Sequence, residues 1–306
     1  MAHGGDVETD IRKYEVILKA AECGSLTRAG EVFGYTQSGV SHMIRAVENE
    51  FGFRIFQRAP RGVTLSPDGE RVLPILREIV RQNERLSQTV GEIGGLVCGT
   101  LRIGTYASIA VHWLPKIVRR FLHDWPNVEI IISEGGAAAL ESALTEGRND
   151  LTLMSTLEGR GYESMALCTD PLLAILPPND PYASRKSFPI EEFRKREFIM
   201  ISRDADYDAG LLLTKHAVHP HIKFSPREDY TVYAMVDNGL GVSILPGLIL
   251  RGFRGNVVAL PLEPEEFRTL ALCAQSFDAL SPAARRFAQY VKKMVRPDGT
   301  VCDFKI

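Results

Sequence analysis

The residue types best placed to do chemistry here are donors and acceptors on one helical face. Gln37, Ser38, Ser41, His42 and Arg45 fall at i, i+1, i+4, i+5 and i+8, a spacing that keeps them together on an α-helix. Gln can pair bidentately with adenine, Ser can bond either way, and Arg and His can reach guanine or phosphate. Arg54, Arg58 and Arg61 follow within a few residues. They suit the sugar–phosphate backbone, which fixes register without reading sequence. A polar leading turn flanked by guanidinium groups points to the major groove of double-stranded DNA. The formal net charge of the 306-residue chain is -2, so the basic footprint that phosphate neutralisation needs has to be local. It is local: those arginines and Arg28 stand against only Glu31, Glu48 and Glu50.

Motifs for turnover are missing from the sequence. It has no G-x-x-x-x-G-K-[ST], no H-E-x-x-H and no G-x-S-x-G, the spacings that cradle phosphate, hold zinc or expose a serine nucleophile. Gly239-Leu240-Gly241 starts like a dinucleotide fingerprint, but Ile244 stands at its third glycine. His216, His219 and His221 lie close together around Pro220 and read better as a solvated loop than as a metal site. The five cysteines are scattered, with no C-x-x-C pair, which argues against disulfides and zinc. The reading is therefore not an enzyme, with no cofactor and no metal. No segment reaches the ~18 consecutive apolar residues of a membrane span, and the N-terminus has neither basic flank nor apolar stretch. A cytoplasmic protein without a membrane partner is expected.

The elements that must position these groups follow from periodicity. An apolar stripe of Ile11, Tyr14, Ile17, Leu18 and Ala21 predicts a first helix stopped by Gly24. Ser25 caps a short second helix over 26–33. After the turn Gly34-Tyr35-Thr36, a third helix runs from Gln37 with Val40, Ile44 and Val47 inward. Residues 53–58 alternate as a strand, Pro60 and Gly62 turn, and 63–65 return. That layout is a winged helix-turn-helix. Ser66-Pro67 then opens a long helix, with a kink expected at Pro74. Val72, Leu76, Ile79, Asn83, Leu86, Val90 and Ile93 step by four and three, a heptad seam with Asn83 at an a position. It is read as a dimerising linker whose opposite face, Arg77, Glu78, Arg81 and Glu84, is solvated. Gly91, Gly94, Gly95 and Gly99 end it. From 100 onward strands alternate with helices, the rhythm of an open α/β sheet. The division expected is 9–66 for DNA binding, 67–95 for the linker helix and 97–306 for effector binding.

Three stretches carry a resemblance: 24–30 (Gly-Ser-Leu-Thr-Arg-Ala-Gly), 36–41 (Thr-Gln-Ser-Gly-Val-Ser) and 48–58 (Glu-Asn-Glu-Phe-Gly-Phe-Arg-Ile-Phe-Gln-Arg), continued by 62–69. In order and spacing the chain resembles the bacterial LysR-type transcriptional regulators. Residues 99–104, 114–115 and 239–246 are similar, more loosely, to that family's effector domain. The resemblance implies an α+β winged helix-turn-helix, a long linker helix, and an α/β domain like periplasmic binding proteins, built of two Rossmann-like subdomains around an effector cleft. It also implies a homodimer or homotetramer bound to double-stranded DNA and answering to a small-molecule effector. Three positions depart from the family's common residues: Gly30 for Ala, Ser38 for Pro and His42 for Arg. Gly30 is expected to weaken its helix by up to ~1 kcal/mol.

In open α/β sheets ligands sit beyond the carboxyl ends of the strands. Thr105, Tyr106 and Ser108 follow the first strand and lead into a helix N-terminus, which suits an anion. Other strand ends supply Glu134, Ser155, Ser202 and Arg203. Arg203 would suit a carboxylate, whereas Glu134 and Asp204 would favour an amine. The competing reading is a small-molecule-binding protein or enzyme on the same α/β architecture.

Overall fold

The structure, a computed structural model, describes residues 10–60, 62–156, 161–201 and 208–302. The chain divides into two compact units, residues up to Leu96 together with Glu146–Arg148 and the remainder from Val97, and each is taken by itself.

The N-terminal unit is a set of capped helices. Helix α1 (Ile11–Cys23) starts where the Asp10 side chain accepts from the Lys13 N–H, and stops at Gly24 with φ 61°. Helix α2 (Leu26–Phe33) is capped by Ser25. Helix α3 (Gln37–Phe51) is capped by Thr36, whose Oγ1 accepts from Gly39 N at 3.1 Å. Strands β1 (Phe56–Ala59) and β2 (Gly62–Leu65) form an antiparallel hairpin, and α4 (Pro67–Ile93) follows behind its Ser66 cap. One core holds the unit together, with Tyr14, Ile17, Val40, Ile44, Ile55 and Leu76 all buried.

Two expectations change. The strand foreseen from 53 begins only at Phe56, because the backbone before it is used elsewhere. The Ile55 N–H goes to Glu48, and the Arg54 and Ile55 carbonyls accept from Ser66. Helix α4 holds Pro74 within its span. The heptad seam splits in two. Leu76 is 2% exposed and belongs to this unit's own core with Leu73 and Val80. Leu86, Val90 and Ile93 are 62%, 61% and 83% exposed.

The C-terminal unit winds strands and helices in turn: β3 (Gly99–Thr105), α5 (Ala107–His112), α6 (Leu114–Asp124), β4 (Val128–Glu134), α7 (Ala137–Thr145) and β5 (Leu151–Ser155). Then come the long β6 (Glu163–Leu176), β7 (Phe188–Pro189), β8 (Glu197–Ile199), α8 (Asp208–Lys215), β9 (His221–Phe224) and α9 (Asp229–Asp237). The closing elements are β10 (Ser243–Pro246), α10 (Gly247–Leu250), the long β11 (Val258–Ala274) and α11 (Pro282–Met294). The main sheet has the order β10-β6-β11-β5-β3-β4. Strand β3 lies parallel to β4 and β5, a pairing that needs the helical crossovers between them, while β11 is antiparallel to β5 and β6.

Two cores result. One gathers Leu101, Ile103, Phe121, Leu270, Phe287 and Val291; the other gathers Leu172, Leu176, Phe198, Leu213, Ile244 and Leu260. Strands β6 and β11 feed both, so they are the ribbon that joins two halves. Strand β11 is not foreseen by the sequence. Pro261, Pro264 and three glutamates interrupt it, and they fall in an irregularity of register between Pro261 and Glu266. Among the described residues, no helix is long and apolar enough to cross a membrane.

Candidate DNA interface and effector cleft

The outer face of α3 carries the predicted groove residues. Gln37, Ser38, His42 and Arg45 are exposed and Ser41 is half-buried, while Val40, Ile44, Val47 and Glu48 turn inward. The cap orders this leading turn: Thr36 Oγ1 also lies 3.0 Å from Ser38 Oγ. Arg58 is exposed on β1. Arg61 lies outside the described residues.

The wing is held in place by backbone. The Val63 N–H donates to the Gly24 carbonyl at 3.0 Å, and a Cβ at Gly62 would lie 2.1 Å from that carbonyl oxygen. Glycine is required there by space and by its φ of 135°. Glu48 supplies a second tie that the sequence reading missed. It is 5% exposed, and its Oε1 accepts from Ile55 N (2.9 Å) and Phe56 N (3.2 Å) while Oε2 meets Arg54 Nη1 at 2.7 Å. The inward register 40, 44, 47, 48 could have shown that this glutamate faces the core. Arg54 therefore has a partner inside the protein, although 70% of its side chain stays exposed.

Gly30 turns out to be a packing requirement. A Cβ there would come within 2.5 Å of the Tyr35 carbonyl oxygen, because the turn between α2 and α3 folds back to give Tyr35 N to Gly30 O at 2.9 Å. The expected weakening relative to alanine ignores this close approach.

In the C-terminal unit a cleft of about 220 Å³ opens at the strand ends. Tyr106, Ser108 and Glu134 line it. Thr105 and Ser155 stand behind its wall. Thr105 is fully buried with its hydroxyl donating to the Tyr106 carbonyl, and Ser155 Oγ lies 2.8 Å from the Tyr106 hydroxyl and donates to Asp208 at 3.2 Å. Ser202 and Arg203, like Asp204, lie outside the described residues.

At the base of the cleft is a residue the sequence did not single out. Arg268, in the middle of β11, donates through Nε (3.0 Å) and Nη2 (2.8 Å) to Asp170 on β6, through Nη1 (2.7 Å) to Asp208, and through Nη2 (3.1 Å) to Ser108 Oγ. Its guanidinium carbon also lies 5.5 Å from the Tyr106 ring centroid. Burial works against the charge, but Asp208 and Asp170 outweigh it and hold the guanidinium protonated. Burial first, and Asp208 second, push the Tyr106 hydroxyl above its usual range, so it stays a neutral donor. Asp170 also accepts from Leu248 N at 2.8 Å, which ties α10 to the same point.

Arg227, Glu228 and Asp229, at the start of α9, complete the charged lining. Burial raises the Asp229 carboxyl to about 6; Asp208 and Glu228 add to the rise and Arg268 opposes it. Acidic residues in the first turn of an apolar helix were the available sign of Asp208 and Asp229. Elsewhere, His216 pairs with Glu266 and His221 with Glu197. Among the described residues, no group of three or more His, Cys, Asp or Glu is arranged to hold a metal.

Residues 11–70 match the family described as bacterial regulatory helix-turn-helix protein, lysR family, and residues 94–296 match the LysR substrate binding domain. The chain belongs to the LysR family. This LysR regulator thus joins a DNA-binding helix-turn-helix to an effector-binding domain. It is 27% identical to the uncharacterized transcriptional regulator YvbU of Bacillus subtilis over 93% of this chain and 98% of that one. It is 24% identical to the DNA-binding dual regulator OxyR of Escherichia coli over 95% and 96%. Among solved structures, a full-length OxyR variant from Pseudomonas aeruginosa matches with TM-score 0.74 at 20% identity, covering 97% of this chain and all of that one. Full-length CbnR in complex with its target DNA matches with TM-score 0.63 at 16% identity, covering 93% and 99%. These likenesses carry the fold.

Proposed function

We propose that α3 enters the major groove of double-stranded DNA with Gln37, Ser38, Ser41, His42 and Arg45 toward the base edges, and that Arg54, Arg58 and Arg61 grip the strands. The observation that carries this reading is the exposed polar face of α3 beside a wing pinned at Gly24 and Glu48. Pinning matters because base readout needs donors held in register before contact. The C-terminal domain binds a small-molecule effector, with Thr105, Tyr106, Ser108, Glu134, Ser155, Ser202 and Arg203 as the residues assigned to it. The chain works in the cytoplasm as a homodimer or homotetramer, by binding and without turnover. Residues 9–66, 67–95 and 97–306 are its DNA-binding, linker and effector-binding parts.

A thiol switch at Cys168 or Cys273 fits less well than ligand binding. Cys168 and Cys273 are buried, and burial raises their thiols to about 11 and about 12, so little of the reactive thiolate is present at neutral pH.

Gln37→Ala tests the DNA arm, by fluorescence anisotropy on a site selected from DNA upstream of its own gene. It is expected to cost ~1–3 kcal/mol on that site and leave random DNA unchanged. Equal loss on both would overturn base reading by α3. Arg58→Ala should weaken both alike and flatten the salt dependence.

A further inference from the structure

We propose that the effector of the C-terminal cleft is a cation, a small amine whose ammonium group sits between Glu134 and Asp229 while its carbon frame lies on Leu172, Ile244 and Leu245. This rests on the reading of that cleft as the effector site and adds the chemical class of its ligand.

The obvious receptor for an anion, Arg268, is already satisfied. Four of the five guanidinium donors are taken by Asp170, Asp208 and Ser108, and the two carboxylates cancel its charge. What remains on the lining is Glu134, Glu228 and Asp229 against Arg227. Neither the Glu134 nor the Asp229 side chain makes a hydrogen bond or ion pair among the described residues. The six residues that link Ile201 to Asp208 in sequence read Ser-Arg-Asp-Ala-Asp-Tyr, one positive and two negative groups. An incoming carboxylate would meet repulsion from an acidic lining, whereas an ammonium would supply the countercharge that the lining lacks.

Asp229 supports the same conclusion by its chemistry. A half-buried carboxyl raised to about 6 is held against its charge when the cleft is empty, and a cation beside it relieves that. The groups that face it are Asp208 on α8, Arg268 on β11, Glu134 at the end of β4, and Arg227 and Glu228 beside it. The cleft, at about 220 Å³, is small for a ligand site. Its remaining wall, with Ile201 and Ile249, is apolar, which suits a compact aliphatic or aromatic frame.

The test uses the full chain and matched compounds: butylamine, putrescine, agmatine and phenethylamine against butyrate, succinate and phenylacetate, by thermal shift and titration calorimetry near neutral pH. At least one amine should raise Tm and no acid should. Glu134→Gln and Asp229→Asn should each weaken the amine about tenfold or more. Unliganded Asp229→Asn should melt higher than the parent, which a merely structural aspartate would not do. Lowering the pH by one unit below the Asp229 pKa should weaken the amine about tenfold in the parent and leave it unchanged in Asp229→Asn. Acids that stabilise where amines do not would overturn the charge assignment and leave the effector site standing. An amine bound equally by the parent and both variants, or no amine bound at all, would overturn the proposal. If filling the cleft with Leu245→Trp also left regulation in cells intact, the effector site itself would fall.

Discussion

A buried carboxylate is costly unless its oxygens are satisfied, and Glu48 meets that condition with two backbone N–H groups and one guanidinium. Those bonds fasten the end of α3 to the start of the β1–β2 hairpin. Glu48→Ala would leave the Ile55 N–H buried without its acceptor, and is expected to cost about 2–4 kcal/mol by urea unfolding. Gly30→Ala reverses a propensity expectation. Helix preference alone would favour alanine by ~1 kcal/mol, but its Cβ would press on the Tyr35 carbonyl. A loss of about 1–3 kcal/mol is expected instead, read as a lower urea midpoint. Residue by residue, the legible part of the molecule is local. Ser25 and Ser66 cap helices as their types announce. The carbonyl against Gly30 is a product of the fold and has no trace in composition or spacing.

Helix α4 shows how one apolar period can serve two purposes. Its first half packs Leu73, Leu76 and Val80 on the core of its own unit, while Leu86, Val90 and Ile93 are left in solvent. Three apolar side chains in one register are costly to expose, at roughly 25 cal/mol per Å², and a second copy of the helix is the occupant the seam suggests. Leu86→Glu combined with Val90→Glu is expected to shift the sedimentation coefficient to that of a smaller assembly without lowering helix content. Leu76→Ala should instead cost ~2–5 kcal/mol of stability and leave the assembly unchanged. Unaltered sedimentation in the double variant would exclude this stretch from the interface. The elements with strong period were readable, but β11 was not. Its prolines and glutamates read as a loop, and only pairing with β6 across nearly a hundred residues makes it a strand, a tertiary override of local preference.

For the whole molecule, the cleft has a measurable effect on stability. The folded Asp229 carboxyl titrates near 6 and the unfolded one near 3.8. Between those values the native chain holds a proton that the unfolded chain has released, so this group's contribution to stability rises as pH falls. The parent should therefore be less stable than Asp229→Asn at pH 7, by about 1–3 kcal/mol. The gap should close as pH falls through 6 toward 4, and urea unfolding at three pH values measures it. The charged centre itself was the least legible part of the sequence, since Asp170 and Arg268 meet only because β6 and β11 lie side by side.

That same ribbon sets a timetable for synthesis. One half of the C-terminal unit draws its interior from Leu101 and Phe121 but also from Leu270, Phe287 and Val291. It cannot close until nearly the last residues have left the ribosome. Its early strands must wait with their apolar faces open while the other half is translated, for several seconds or more at ordinary elongation rates. Nascent chains stalled before Phe287 should accordingly be the ones that chaperones hold.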